Sequence, residues 1–367
     1  MLRSLALLLS ATTLHAEELR LNQIQVIGTH NSYHIAPPPA VMNIIAATGK
    51  SRAESLDYTH RPLAEQFDKL GIRQIELDIY ADPKGGLFSK PYGRTMAEKN
   101  GKDLGPDPNA GGILDKPGFK VLHVADIAYL STVPTFTAGL KQVHDWSKAH
   151  PRHVPIMVLV ELKEDVVPLM PTKIVLFDTA LLDAVDAEIR SVFKDDELIT
   201  PDAVRGDAKS LSEVIQNRGW PKTDAVRGKV MFCLDNSGKL ADLYAKDHPA
   251  LKGRAMFAPL IESDDGAAFF KVNDPIAEFD RIQKLVKTGF VVRTRADEAT
   301  KNARTNDATR RDKALASGAQ FVSTDYPEAR KEWSDYQVRL PGNATARPNP
   351  VSAPAGFKEV DVEKLSK

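Results

Sequence analysis

Four short apolar runs of the sequence end in side chains that can bind a metal ion or transfer a proton. These side chains are His30, Asn31, Glu76, Asp78, His123, Glu161 and Lys163. Glu76 and Asp78 are two positions apart, which places both on the same side of a strand. Because chance would scatter such groups along the chain, their position at the ends of four consecutive apolar runs predicts one active site.

The acidic residues indicate a metal ion. Glu76 and Asp78 stand among apolar neighbours, where two carboxylates would repel one another and would be costly to bury without a cation. With Asn31 and Glu161 they form an all-oxygen set, the ligand type of hard cations such as Ca²⁺ or Mg²⁺. Zn²⁺ would more usually recruit histidines.

Each of these residues also has a purely structural interpretation. An isolated Glu-x-Asp pair can form salt bridges, Lys163 can pair with Glu161, and a single His123 can be an ordinary hydrogen-bonded imidazole. Their joint occurrence favours a functional site. In that site His30 and His123 are free to carry protons or to donate hydrogen bonds.

The elements that must position these residues alternate along the chain. Apolar runs lie at residues 24–30, 72–80, 119–124, 154–163, 229–235, 255–263, 290–296 and 319–326. Near-continuous apolar runs are typical of parallel strands covered on both faces, and helical patterns separate several of them. Eight such strands predict a single-domain α/β barrel with its site at the carboxyl ends of the strands. A doubly wound open sheet is the alternative, although no glycine-rich phosphate loop follows the first run.

Three segments fall outside this repeat. Residues 1–16 carry Arg3, an apolar stretch and then Ala16, the order of a signal peptide, which predicts an exported, periplasmic or secreted protein. Residues 81–118 are rich in Gly, Pro, Asp and Lys and suit a loop over the site, either as a lid or as an interfacial anchor. Residues 341–367 are predicted to be a Pro-rich C-terminal tail beyond a barrel of residues 17–340.

Composition limits the partners. The chain has 49 Lys and Arg against 49 Asp and Glu, which argues against a general attraction to nucleic acid. Cys233 is its only cysteine, so an internal disulfide is impossible and a buried, inert thiol is expected. No obligate protein partner is inferred.

Several segments together resemble a known superfamily. The motifs are GTHNSYH, IELDIY, VLHVAD, VLVELK, FVVRTRAD and FVSTDYP. In this order they resemble the phosphatidylinositol-specific phospholipase C superfamily, in particular its calcium-dependent, secreted bacterial branch, over most of residues 20–340. The resemblance implies a distorted (β/α)₈ TIM barrel that binds Ca²⁺, with Mg²⁺ as the alternative. It implies Asn31, Glu76, Asp78 and Glu161 as metal ligands, His30 and His123 as catalytic residues, and Lys163, Arg293 and Tyr326 as substrate contacts.

One departure from the family pattern concerns the head group. Eukaryotic members place an arginine two residues before the tyrosine of the last strand, where this chain has Thr324. An unphosphorylated inositol lipid is therefore expected rather than a polyphosphorylated one. Arg293 and Arg295 are candidate phosphate ligands, but salt bridges to Asp297 or Asp325 account for them equally well.

The implied activity is metal-dependent cleavage of phosphatidylinositol to diacylglycerol and a cyclic or hydrolysed inositol phosphate, with transient contact with a membrane surface. A glycerophosphodiester phosphodiesterase is the first alternative, although those enzymes usually begin with His-Arg-Gly, where this chain has His30, Asn31 and Ser32. The second alternative is a non-catalytic exported protein that binds a head group. The presence of both histidines argues against it.

Overall fold

The computed structural model describes residues 19–100, 104–168, 170–357 and 360–365. The predicted signal peptide at residues 1–16 lies outside the described residues. None of the helices in the described ranges is long and apolar enough to cross a membrane.

The described strands form one curled sheet. They are β1 Ile24–Thr29, β2 Gln74–Asp82, β3 Gly118–Val121, β4 Ile156–Leu162, β5 Leu198–Ile199, β6 Val230–Leu234, β7 Met256–Phe257, β8 Phe269–Lys271, β9 Val291–Arg295, β10 Phe321–Thr324 and β11 Ala346–Pro348. The order β5-β6-β4-β2-β1-β10-β9-β8 is parallel throughout, and β7 also pairs with β6. No ladder joins β7 to β8 within the described ranges, so the barrel is distorted there. The predicted single-domain α/β barrel is confirmed.

Two details of the strand prediction were wrong. The run at residues 119–124 is not a parallel barrel strand, because β3 pairs antiparallel with the last four residues of β2. The barrel position is taken instead by β8, only three residues long. So short a strand carries too few apolar residues to be distinguished from a loop by periodicity.

Twelve described helices connect the strands. They are α1 Pro39–Thr48, α2 Lys50–Ser55, α3 Leu63–Leu70, α4 Tyr92–Lys99, α5 Phe136–Ala149, α6 Thr179–Val192, α7 Pro201–Arg205, α8 Leu211–Asn217, α9 Lys239–Ala245, α10 Phe279–Thr288, α11 Lys301–Thr305 and α12 Thr309–Ala316. In α3 the buried face carries Leu63, Phe67 and Leu70, and Gly71 ends the helix with a left-handed φ of 64°. The Ser210 side chain caps α8 by accepting a hydrogen bond from the Glu213 backbone N–H.

Side chains on the central strand β2 alternate between an apolar face, which packs against helices, and an acidic face. On β2, Ile75, Leu77 and Ile79 pack into the apolar cluster that also contains the buried faces of α3, α5 and α6. Because strand side chains alternate, Glu76 and Asp78 face the opposite side, towards the barrel interior. The hydrophobic alternation thus forces the carboxylates inward.

The two irregular segments are more ordered than their composition indicates. Residues 81–118 contain the end of β2, helix α4 and a 3₁₀ helix at Ala110–Asp115. The C-terminal segment joins the barrel, because β11 pairs antiparallel with β1 and Val362 is buried. The Glu363 carboxylate also accepts hydrogen bonds from Arg73.

Candidate active site

Glu76, Asp78 and Glu161 meet at the carboxyl ends of two neighbouring strands. Asp78 on β2 pairs in register with Glu161 on β4, and Glu76 lies two residues earlier on β2. One carboxylate oxygen from each of the three lies within 4.8 Å of the others. The structure therefore brings together the three acidic residues that the sequence assigns to a metal ion.

The acidic cluster is electrostatically unfavourable without a compensating cation. Burial is the main cause that raises the pKa of Glu76 and of Asp78, and the nearby Asp235 carboxylate raises both further. Burial, followed by the charge of Asp78, raises the pKa of Glu161 to about 7. A bound divalent cation would reverse these shifts, because an adjacent positive charge stabilises the ionised carboxylate.

Asn31 supplies an amide oxygen suited to the same ion. Its backbone is left-handed, with a φ of 46°, a conformation uncommon outside glycine and frequent at functional sites. Its Nδ2 donates a hydrogen bond to the Tyr58 hydroxyl at 2.8 Å, whereas its buried Oδ1 has no partner. Oδ1 of Asp78 is also buried without a partner. Unpartnered buried oxygens in an all-oxygen donor set fit a hard cation such as Ca²⁺.

His123 reaches the cluster because β3 runs antiparallel. Val121 pairs with the residue just after Asp78, so the chain beyond β3 returns towards that carboxylate. Nδ1 of His123 lies 3.2 Å from Oδ2 of Asp78 and 3.1 Å from Nδ2 of Asn31. Burial, followed by the charge of Lys163, lowers the pKa of His123 to about 4.

His30 approaches the cluster from β1. Its Nδ1 lies 2.8 Å from Oδ1 of Asp325, and its Nε2 lies 3.6 Å from Oε1 of Glu76. Burial lowers the pKa of His30 well below its usual value, and the guanidinium groups of Arg295 and Arg293 lower it further. The imidazole is therefore held between a carboxylate that orients it and the acidic cluster.

Two predicted substrate contacts lie beside the acidic cluster and pair with it. Nζ of Lys163 is 3.2 Å from Glu161 and 3.4 Å from Asp78. Nη2 of Arg293 donates to Oε2 of Glu76 at 2.5 Å, a pairing that the sequence analysis did not anticipate. Of the alternative salt bridges to Asp297 or Asp325, the described residues contain that of Arg295 with Asp325, at 3.2 Å.

Tyr326 is the predicted site residue that lies apart. Its ring packs near Trp333 and Tyr336, with ring centroids 6.0 and 6.2 Å away. It lines a neighbouring cavity of about 400 Å³, which shares Tyr58 and Asp325 with the cavity at the acidic cluster. Tyr326, predicted as a substrate contact, thus lines the neighbouring cavity and not the one at the acidic cluster.

The cavity at the acidic cluster has a volume of about 360 Å³. Its lining includes His30, Tyr58, Glu76, His123, Glu161, Lys163, Asp235, Lys271, Asn273, Arg293, Arg295 and Asp325. Paired ions dominate this lining, because the basic side chains among them contact carboxylates. Such a cavity suits a small anionic ligand with polar groups.

Sequence reasoning missed four of these lining residues. Asp235 ends the apolar run KVMFCLD, so its position at a strand end was a usable signal. Lys271 is the last residue of β8 and Asn273 follows it, and β8 was not recognised as a strand. Tyr58 lies between helices and no local pattern marks it. Its place beside Asn31 is a result of tertiary structure.

Comparisons with known proteins agree with this geometry. The model of the family "Phosphoinositide phospholipase C, Ca²⁺-dependent" matches residues 19–350. Curated protein sequences yield no significant match.

Solved structures are similar to this chain at low sequence identity. The chain is similar to a calcium-dependent phosphoinositol-specific phospholipase C from a Gram-negative bacterium, Pseudomonas sp., in an apo crystal form, with 13% identity and a TM-score of 0.54 over 91% of this chain and 96% of that chain. The myo-inositol complex of that enzyme gives 14% identity and a TM-score of 0.53 over the same shares. A Ca²⁺-dependent phosphatidylinositol-specific phospholipase C from Streptomyces antibioticus gives 16% identity and a TM-score of 0.49 over 84% of this chain and 95% of that chain. Because the family model spans nearly all of the barrel and its acidic cluster, this chain belongs to the Ca²⁺-dependent phosphoinositide phospholipase C family.

Proposed function

We propose that this enzyme cleaves phosphatidylinositol on the glycerol side of the phosphate and releases diacylglycerol and a cyclic or hydrolysed inositol phosphate. The observation that carries the proposal is the pair of imidazoles that contact one acidic cluster: His30 faces Glu76 and His123 faces Asp78. The substrate class of the family supplies the head group.

The proposed metal ligands are Asn31, Glu76, Asp78 and Glu161, with Ca²⁺ as the ion of the family and Mg²⁺ as the alternative. When bound, the cation would neutralise negative charge on the phosphodiester and would make the adjacent ring hydroxyl more acidic. The unpartnered oxygens of Asn31 and Asp78 support this assignment.

The remaining side chains bind the phosphodiester and move protons. A carboxylate of the acidic cluster or an imidazole accepts the proton of the attacking ring hydroxyl. His30 and Lys163 stabilise the additional negative charge that develops on the phosphate oxygens. His123 donates a proton to the leaving alkoxide of diacylglycerol. The negative charge of the phosphate favours the protonated form of His123. Burial disfavours that form when no phosphate is bound.

We also propose transient membrane contact at the carboxyl end of the barrel. The large apolar side chains that are most exposed among the described residues are Tyr92, Val166, Leu176, Ile261 and Ile276. All five lie in segments that follow the carboxyl ends of strands, which is the end that carries the acidic cluster. A lipid surface at that end would deliver the substrate directly to the cavity.

Export is the proposed localisation, on the basis of the signal-like residues 1–16. Expression of the full chain followed by cell fractionation and N-terminal sequencing of the mature protein tests it. Recovery only in the cytoplasm with an intact N-terminus would contradict export.

The activity is tested with purified protein on phosphatidylinositol, glycerophosphoinositol and glycerophosphocholine, with and without a chelator, followed by ³¹P NMR. The expected result is metal-dependent formation of a cyclic or hydrolysed inositol phosphate from the inositol substrates. Glycerol 3-phosphate as the product would support a glycerophosphodiester phosphodiesterase instead. Ca²⁺ binding without cleavage of any of the three would indicate a head-group-binding protein.

A further inference from the structure

Arg293 is bound directly to one of the proposed metal ligands. Its Nη2 donates to Oε2 of Glu76 at 2.5 Å, and its Nη1 donates to Oδ1 of Asn273 at 2.6 Å. The side chains of Arg293 and Glu76 are 1% and 2% exposed, so water screens this pair little. Among the described residues, the guanidinium of Arg293 is the positive group closest to this carboxylate.

Both oxygens of Glu76 have a basic neighbour. Oε2 accepts from Arg293, and Oε1 lies 3.6 Å from Nε2 of His30. A divalent cation that binds Glu76 must either share a carboxylate oxygen with one of these basic partners or displace that partner. Two positive charges around one carboxylate repel each other. Metal binding and the bond between Arg293 and Glu76 are therefore in competition.

Arg293 also has unused capacity to bind an anion. It lines the cavity at the acidic cluster, and its Nε is buried without a hydrogen-bond partner. A buried N–H of a charged group that lacks an acceptor is costly and is usually satisfied by a ligand. Guanidinium groups bind phosphate oxygens through two donors at once.

We propose that Arg293 is the counter-ion of Glu76 in the metal-free enzyme and becomes a phosphate ligand when a metal ion takes its place on that carboxylate. This inference rests on the proposed function, since it assumes that a phosphodiester occupies the cavity. Metal and anion binding are then positively coupled through Arg293. By linkage, each ligand raises the affinity for the other by the same factor.

Arg295, the second arginine of the same strand, makes a different ion pair. It lies two residues further along β9, lines the same cavity and carries the same charge. It pairs with Asp325, which is outside the proposed ligand set. Its removal changes the charge of the cavity without freeing Glu76.

The test is titration calorimetry of the full-length protein with Ca²⁺, alone and with saturating inositol 1-phosphate or dimethyl phosphate. The dimethyl diester isolates the phosphate contribution from that of the inositol ring. Without an anion, Arg293→Met is expected to bind Ca²⁺ about tenfold more tightly than the wild type, within the usual range of coupling. The factor by which either anion tightens Ca²⁺ binding is expected to fall at least about threefold, whereas the control Arg281→Met, at an exposed arginine of α10 that pairs with Glu278, changes both values less than about twofold.

Two results would overturn the proposal. Weaker Ca²⁺ binding by Arg293→Met would mean that Arg293 orients Glu76 for the metal. An unchanged anion effect would mean that Arg293 does not receive the phosphate.

Near-ultraviolet circular dichroism checks that the variants are folded. If Arg293→Met is unfolded, Arg293→Lys decides: its shorter side chain should shift both values in the same directions, and opposite or absent shifts refute the inference. Because lipid cleavage is not measured, failure of the proposed function would be seen separately.

Discussion

Nδ1 of His30 and Oδ1 of Asp325 lie 2.8 Å apart, across the carboxyl ends of the neighbouring parallel strands β1 and β10. The register explains this contact, since Thr29 pairs with Thr324 and the next residue of each strand is His30 and Asp325. A carboxylate at Nδ1 fixes the ring so that Nε2 faces the acidic cluster. Asp325 is itself held, because its backbone N–H donates to Asp297 at 2.9 Å.

Asp325→Asn should therefore reduce turnover by misorienting His30. We expect kcat on phosphatidylinositol to fall roughly 10- to 100-fold, the range found for partners that orient site residues, with KM changed little. Steady-state kinetics on lipid vesicles measure the effect. Asp335→Asn, at an exposed carboxylate that pairs with Lys331, is the control. Equal kcat values for Asp325→Asn and the wild type would contradict an orienting role.

His123→Ala should affect turnover far more than substrate affinity. Loss of the proposed proton donor is expected to lower kcat roughly 10²- to 10⁴-fold, the usual contribution of general acid catalysis, with KM within a few-fold. A soluble phosphodiester with a good leaving group should recover part of the loss, since its departure needs no proton. His144→Ala on α5 is the matched control. A kcat near that of the wild type would exclude the acid role.

Much of the candidate site could be predicted from strand ends alone. Glu76, Asp78 and Glu161 converge because parallel neighbours end at one edge, a rule that needs only the strand assignment. His123 was placed at the site for the wrong reason, since it follows β3, which pairs antiparallel with β2, rather than the end of a parallel barrel strand. The pairing of Arg293 with Glu76 crosses the barrel between residues 217 positions apart, and no local pattern could reveal it.

Asp78→Asn should weaken metal binding strongly. Asp78 is fully buried, and the substitution removes one of three converging anionic ligands. We expect Ca²⁺ affinity to fall by at least roughly 10- to 100-fold, the loss that even outer partners of metal ligands cause. Calorimetry with Ca²⁺ measures it, and Asp145→Asn, on the exposed side of α5, is the control. Ca²⁺ affinity equal to that of the wild type would remove Asp78 from the ligand set.

His153 should make the stability of the protein depend on pH. Its Nε2 lies 2.7 Å from the Ser147 hydroxyl and its Nδ1 lies 2.6 Å from the Val154 carbonyl oxygen. Burial lowers its pKa from 6.5 to about 4, so the folded protein holds it neutral while the unfolded chain protonates it below about 6.5. The stability that neutral His153 contributes is thus complete above pH 6.5 and is lost as the pH falls towards 4.

Urea unfolding of the wild type and of His153→Gln at pH 7.0, 5.5 and 4.5 measures this dependence. Between pH 7.0 and pH 4.5 the unfolding free energy of the wild type should fall by up to about 3 kcal/mol more than that of the variant. The pKa of His153 is lowered from 6.5 to about 4, and one unit of pKa shift corresponds to about 1.4 kcal/mol. His248→Gln, at a partly exposed histidine, is the control. Identical pH slopes for the wild type and His153→Gln would show that His153 is not the group responsible.

Removal of residues 341–367 should destabilise the whole barrel, although the Pro-rich composition of this segment is typical of a tail. β11 pairs with β1, the strand that leads to His30 and Asn31, and Val362 is fully buried. The buried guanidinium of Arg73 would also lose its carboxylate partner Glu363, and breaking such a pair typically costs about 3–5 kcal/mol. We expect a chain ending at residue 340 to unfold at a clearly lower temperature and to bind Ca²⁺ more weakly. Glu363→Gln should reproduce part of the thermal shift while Ca²⁺ affinity stays at the wild-type value. Unfolding of the truncated chain at the wild-type temperature would mean that the segment only covers the barrel and does not support β1.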